Sequence, residues 1–432
     1  MPPSCASTNG FGRVIILNLR HVAVIGAGLA GAAVCARFAA RGWQVELIDA
    51  HAAPAQGASG NHAASFHPLI ARDDNRMVRL IRAGIAASLT HWADLARAGF
   101  AFSWEQCGAL QLAQEGAKQN VARTLAGLAL DPGYARLADQ REASALAGVP
   151  LRSGGVLFGA GGWVQPASLV RAQLASCGGL LEVHCGRRVA QVRRTGSASA
   201  GGVAWELLDA TGRQIARVPV VVLAGGADPA LPQMFGQREW PIEAVAGQIS
   251  MVDAQDAALA SAAAAMAPRL PVHGAGYLLP CIDGQVVLGA TYERSGALPG
   301  AQSIAAGHRH NLAQAQRMLA AALPAPEALQ LSARIALRAV ARDRLPVIGG
   351  LPDAAAINAQ AVLRAGARLA HLPRLPGVYA ATAYGSRGLT WAALGAELLV
   401  SIVEGTAAPL QPALIDAVDP ARFVLRAVRR TS

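Results

Sequence analysis

From residue 21 onward, short apolar runs alternate with glycine turns and small-residue helical stretches. His21 to Ile25 is β-branched and apolar throughout, the pattern of a strand covered on both faces. Ala30 to Ala40 predicts a helix of small residues that Gly42 ends, and Trp43 to Ile48 predicts a second strand terminating in Asp49. Arg72 to Ala98 has helical periodicity, with Asp73-Asp74 as its N-cap pair. Pro166 to Cys177 predicts another helix, and Leu180 to His184 a strand. Val189 to Val192 and Val203 to Leu208 alternate like antiparallel strands, and Val218 to Leu223 reads as a buried strand closed by Ala224-Gly225-Gly226. Further along, Gln248 to Val252 and Val286 to Thr291 predict strands, while Ala258 to Ala267 and His308 to Ala322 predict helices. Gly377 to Ala381 is the last strand, followed by a turn at Gly385 and a helix from Leu389 to Val403.

The first of these units carries recognisable chemistry. Gly26, Gly28 and Gly31 stand in G-x-G-x-x-G spacing between a strand and a helix. The first allows a sharp turn, the second lets backbone approach a pyrophosphate, and the third lets helix and strand pack closely. The diphosphate then rests on unpaired N–H groups at the positive end of the helix. Asp49, about twenty positions on, stands where a ribose hydroxyl is bound and disfavours a 2′-phosphate, which leaves FAD or NAD. The small-residue loop Pro54 to Asn61 follows directly and suits a bulky flavin lying against backbone.

Composition narrows the class. At 432 residues and 53% hydrophobic content the chain supports two folded domains. Its net charge of +11 has two readings. Lys118 is the only lysine, so the excess of arginine fits codon bias as well as it fits a polyanionic partner such as RNA. The six cysteines contain no C-x-x-C pair, which argues against a disulfide framework or a metal site and for a cytoplasmic location. No apolar run reaches the ~20 residues of a membrane span, and no signal peptide is visible.

Beyond the glycine motif, five stretches carry a family resemblance: Gly57-Ala58-Ser59-Gly60-Asn61, Gly161-Gly162-Trp163 with Pro166, Val245-Ala246-Gly247-Gln248, Arg338 to Gly349, and Gly385-Ser386-Arg387-Gly388-Leu389. Together they resemble the D-amino-acid oxidase superfamily, and most closely the oxidoreductase module of the MnmC-type bifunctional enzymes that mature wobble 5-methylaminomethyl-2-thiouridine in tRNA. The resemblance runs from about His21 to Arg430. In those enzymes a methyltransferase domain precedes the flavin domain, whereas about twenty residues precede it here, so this chain is not expected to methylate.

The resemblance implies an α/β fold: a Rossmann-like FAD-binding domain of the D-amino-acid oxidase/glutathione-reductase type, with an α+β substrate domain on an antiparallel sheet. The FAD-binding domain is expected in three pieces, 18–70, 163–232 and 340–412, and the substrate domain in two, 71–162 and 233–339. Residues 1–17 are expected as a flexible leader and 413–432 as a C-terminal tail. FAD is expected to be non-covalent, although His62 and His67 follow the loop and invite a histidyl link. It would be held by Gly26, Gly28, Gly31, Asp49, Ser59, Gly60, Asn61, Val189, Gly225, Gly385, Ser386, Arg387, Gly388 and Leu389. N–H groups at the start of the final helix would face the anionic edge of a reduced flavin.

Arg338 stands where related amine oxidases clamp the substrate carboxylate, with Arg334 and Arg342 as competitors; the alternative is an ion pair in the domain interface. The implied substrate is 5-carboxymethylaminomethyl-(2-thio)uridine in the tRNA anticodon region, cleaved to the 5-aminomethyl nucleoside and glyoxylate. A separate methyltransferase is a possible partner. Arg72, Arg76, Arg79 and Arg82 fall on one helix face, and Arg422, Arg426, Arg429 and Arg430 cluster near the end; each group suits phosphates or a solvated face equally. Two other readings remain, an oxidase of free glycine, sarcosine or D-amino acids and a non-enzymatic FAD-containing tRNA-binding protein.

Overall fold

The computed structural model describes residues 20–113, 118–128, 130–196, 203–237, 240–294, 296, 298, 300–357, 366 and 368–430. The expected leader, 1–17, lies outside them. Two large sheets organise the chain. The first has six strands in the order Val347–Pro352, Arg374–Thr382, Val220–Leu223, His21–Ile25, Gln44–Asp49 and Leu181–Cys185. Its pairs are parallel except for the one between Val347–Pro352 and Arg374–Thr382. The strands come from all three segments expected to build the FAD-binding domain.

The helix Leu29–Ala39 is buried over most of its surface because it is sandwiched between this sheet, the helix Gly388–Glu404 and the helix Pro166–Ala175. Its small side chains permit that close packing and are good helix formers. The long helix Arg76–Arg97 lays Val78, Ile81, Ile85, Ser88, Trp92 and Leu95 on one face, at helical spacing, against the same core. It falls by chain order in the expected substrate unit, but its main packing partner is the helix Gly388–Glu404. Its N-cap is Asn75, whose side chain accepts from Met77 N and Val78 N, and not the expected Asp73-Asp74 pair. Asp74 has φ +40°, and its carboxylate is engaged by Arg82 instead of the first-turn N–H groups. Trp92 and Trp391 are fully buried, and truncating either to alanine would cost about 3–5 kcal/mol.

The second sheet has eight strands, in the order Ser332–Ala341, Ile242–Asp253, Gln285–Gly289, Tyr277–Ile282, Val272–His273, Ala109–Leu112, Gly155–Phe158 and Ala135–Ala138. All its pairs are antiparallel except Val272–His273 with Ala109–Leu112. Helix Ala301–Met318 packs on it, pinned by a polar cluster in which Ser250 Oγ bonds His308 Nδ1 at 2.8 Å and Asn311 Nδ2 donates to Ser250 Oγ at 3.0 Å. Residues 413–432 were expected as a tail. Instead, helices Pro412–Val418 and Arg422–Arg430 fold back onto the body through Leu414, Val418 and Leu425.

One half-buried histidine gives this packing a pH signature. His91 Nε2 lies 3.1 Å from Gln173 Nε2, between the helices Arg76–Arg97 and Pro166–Ala175, an arrangement that requires the ring nitrogen to accept. Burial, reinforced by Arg37, lowers its pKa from 6.5 to about 4. The unfolded chain therefore binds a proton that the fold refuses, and stability falls as pH drops from about 6.5 towards 4. At pH 5 the expected loss from this residue is on the order of 1–2 kcal/mol. Urea midpoints at pH 7 and pH 5 check this, with His91→Gln expected to flatten the difference.

Candidate active site

Between the two sheets lies a cleft of about 1270 Å³. Gly26, Gly28, Asp49, Ser59, Asn61, Val189, Gly225, Arg338, Gly385, Ser386, Arg387, Gly388 and Leu389 all line it. Gly31 and Gly60 do not; they stand just behind its wall. A Cβ at Gly31 would overlap the carbonyl oxygen of Gly26, whose φ of +115° turns the chain from strand into helix. Gly60 lies beneath the Arg334 guanidinium.

The glycine loop is fastened from two sides. Asp49 Oδ2 accepts from Ala27 N at 2.6 Å, while its Oδ1 accepts from His51 N at 2.7 Å and meets His51 Nδ1 at 2.8 Å. A carboxylate has about four acceptor positions, so these bonds leave capacity for a hydroxyl. Ser59 Oγ accepts from Leu29 N at 2.9 Å and so ties the second loop to the start of the helix. Arg334, one of the competing arginines, donates to Gln56 O at 3.0 Å and Gly57 O at 2.9 Å, which makes it a fastener of that loop. Arg342 does not line the cleft. His62 Nε2 bonds Ile282 O at 2.7 Å and lies outside the lining, whereas His67 lines it with Nδ1 on Pro68 O at 2.7 Å.

Arg338 sits on the edge strand Ser332–Ala341, opposite Val245 in the register with Ile242–Asp253. Its guanidinium crosses Gly247, where any Cβ would overlap it, and Nη1 donates to Thr291 O at 3.2 Å. Burial lowers its pKa, partly offset by the phenols of Tyr277 and Tyr292. No carboxylate pairs with Arg338 among the described residues, and the same holds for Arg387 and Arg344, which also line the cleft. Burial likewise lowers Arg387, with Arg344 adding to it.

Several lining residues gave no sequence signal for a role here. His273 lies 4.3 Å from His67 with the rings tilted at 47°, and Tyr277 follows 6.1 Å from His273. Burial lowers the pKa of both histidines, each helped by a neighbouring cation or ring: Arg387 for His67 and His67 for His273. Burial pushes Tyr277 up to about 12 against the opposing pull of Arg338. His273 and Tyr277 face each other across one short hairpin, and only the fold brings the distant His67 to them.

The arginine clusters resolve differently. Arg422 is 3% exposed and, with Arg426, holds Asp343 at 3.0 and 2.7 Å, so neither belongs to an open phosphate face. Burial alone would raise Asp343, but Arg422 and Arg426 outweigh it and leave its pKa lowered. On the other helix Arg82 pairs with Asp74 and Arg79 donates to Gln411, while Arg76 is exposed.

A parallel sheet bearing a glycine motif, facing an antiparallel sheet across one cleft, defines a two-domain oxidoreductase that uses a dinucleotide. The chain belongs to the FAD dependent oxidoreductase (DAO) family, whose profile matches residues 21–402. Among curated relatives, the tRNA 5-methylaminomethyl-2-thiouridine biosynthesis bifunctional protein MnmC of Cupriavidus necator is 43% identical over 95% of this chain, and that of Paraburkholderia phytofirmans 42% identical over 96%. The chain spans 61% of the length of each. Among solved structures, glycine oxidase from Geobacillus kaustophilus matches with a TM-score of 0.69 at 18% identity, covering 93% of this chain and 98% of that one. Iminodiacetate oxidase from Chelativorans sp. BNC1 matches at 0.68 and 21%, covering 92% and 98%. These structural likenesses show the same two-domain fold.

FAD is the cofactor of this family, and the residues present fit it. The helix Leu29–Ala39 has no cap from its own N-cap residue, Gly28, and no acidic residue in its first turn; Ser59 takes the Leu29 N–H, and Gly28, Leu29 and Ala30 line the cleft where a diphosphate would rest on the helix's positive end. Helix Gly388–Glu404 opens onto the cleft in the same uncapped, acid-free way. Among the described residues, no helix is long and apolar enough to cross a membrane.

Proposed function

We propose that this chain oxidises the glycyl secondary amine of 5-carboxymethylaminomethyl-(2-thio)uridine at the tRNA wobble position, giving 5-aminomethyl-(2-thio)uridine and glyoxylate in the cytoplasm. The observation that carries this reading is Arg338: a cation deep in the cleft, without a carboxylate of its own among the described residues. A planar guanidinium in that state suits a substrate carboxylate, and a glycyl arm supplies one. The names of the relatives supply the nucleoside to which such an arm is attached.

Bound FAD would supply the two-electron oxidation of the bond between the amine and the glycyl methylene carbon, and hydrolysis of the resulting imine would release glyoxylate. The chain's own residues hold and orient. Gly26, Gly28 and the first turn of Leu29–Ala39 would take the diphosphate, and Asp49 a ribose hydroxyl. Asn61, Val189, Gly225 and the turn Gly385 to Leu389 would border the rest, held without a covalent histidyl link. Arg338 would fix one end of the arm, so that rate comes from positioning. The amine must lose its proton before oxidation, and burial disfavours the protonated forms of His67 and His273 in the same cleft. A separate methyltransferase would then act on the product.

Incubating the protein with tRNA bearing the carboxymethylaminomethyl group, followed by nucleoside mass analysis, tests this. Loss of the glycyl mass with stoichiometric glyoxylate is expected. An unchanged nucleoside beside rapid turnover of free sarcosine or glycine would assign the protein to small amines instead.

A further inference from the structure

We propose that Tyr292 is the platform on which the pyrimidine of the substrate nucleoside stacks while Arg338 holds the far end of its arm; this rests on the substrate reading above. Only five large hydrophobic side chains among the described residues are prominently exposed, and two of them, Tyr292 at 48% and Leu298 at 62%, line this one cleft. Scattered exposure of apolar residues needs no explanation, but two at one cleft mark a contact surface. The Tyr292 ring follows Thr291, whose carbonyl accepts from Arg338, and the Arg338 guanidinium lies over one face of that ring, 5.6 Å from its centroid, which leaves the residue 48% exposed for a base on its open side. The anion site and the exposed ring are thus parts of one surface.

Geometry selects the occupant. From the pyrimidine ring carbon to the carboxylate carbon the arm contains four bonds, about 5 Å when extended. An arm of that length lets a carboxylate seated on Arg338 coexist with a base laid on the neighbouring Tyr292 ring, whose centroid is 5.6 Å from the guanidinium carbon. Every base has a π-face, and stacking on an aromatic side chain supplies affinity without demanding base-specific hydrogen bonds. A free amino acid clamped by Arg338 would leave the ring facing water. The ring therefore distinguishes a nucleoside-borne glycyl amine from a small one.

The test compares the parent with Tyr292→Ala and Tyr292→Phe on tRNA carrying the arm. Tyr292→Ala is expected to raise KM tenfold or more with little change in kcat, whereas Tyr292→Phe, which keeps the ring, stays within about threefold of the parent. Acetate, which offers Arg338 a carboxylate with no base attached, is expected to inhibit all three alike. A parent-like KM in Tyr292→Ala overturns the stacking assignment alone. So does loss of acetate inhibition in that variant, since the effect would then run through Arg338. A Tyr292→Phe variant as impaired as Tyr292→Ala overturns it too, because the hydroxyl and not the ring would be responsible. A parent protein that leaves this tRNA unchanged overturns the substrate reading, and the stacking site with it.

Discussion

Arg338→Ala is expected to lower kcat/KM by about two orders of magnitude, nearly all of it through KM, while the bound flavin keeps its visible spectrum. Removing one partner of a buried, hydrogen-bonded charge pair costs about 2–5 kcal/mol, and each 1.36 kcal/mol is tenfold. The loss falls on KM because the carboxylate is held as firmly in the bound substrate as in the transition state. Lysine should recover only part of the loss, since it presents a point charge where the guanidinium presents a fork across Gly247. Steady-state kinetics on the modified tRNA provide the measurement. A parent-like KM in the alanine variant would remove the clamp from the mechanism.

The second large effect concerns the cofactor. Gly31→Ala places a methyl group against the carbonyl oxygen of Gly26, which is rigid backbone at the turn from strand to helix. Overpacking of this kind costs about 1–3 kcal/mol, and here the strain is released by moving the N–H groups that receive the diphosphate. The variant should purify with at least tenfold less flavin and a lower melting temperature. Gly179→Ala, with nothing within 4 Å of its added carbon, serves as the control and should stay fully yellow. The ratio of flavin to protein absorbance reads the result; full occupancy in Gly31→Ala would mean that the glycine is not needed for close packing.

How much of this could be read from the chain depended on the range over which each feature is encoded. The unit from His21 to Asp49 was legible because strand, turn, helix and acid are all local, and each constrains the next. The eight-stranded sheet was only partly legible: Ala135–Ala138 and Gly155–Phe158 are short, and their partners are set by tertiary contact. Boundaries shifted for the same reason, as when the predicted helix His308 to Ala322 proved to be Ala301–Met318. Arg338 was reached through resemblance, since no spacing marks a lone arginine on an edge strand. Tyr292 and His273 carried no signal because their surroundings come from other segments. Arg422 misled for a related reason. Its helix looks like a basic surface ribbon, yet the residue that neutralises it, Asp343, lies 79 positions earlier.

That pairing bears on how the two halves of the molecule communicate. The segment between Ala341 and Val347 is where the chain leaves one sheet and enters the other, and it carries Arg344, at φ +60°, into the cleft. Asp343 is its anchor, and the anchor is held from outside by the terminal helix. A displaced terminal helix would leave a half-buried carboxylate without its counter-charges, and the crossover would have to move to rehydrate it. The helix Arg422–Arg430 thus acts as a remote latch on the catalytic chamber, reaching it through ionic contacts at the periphery instead of through the packed interior.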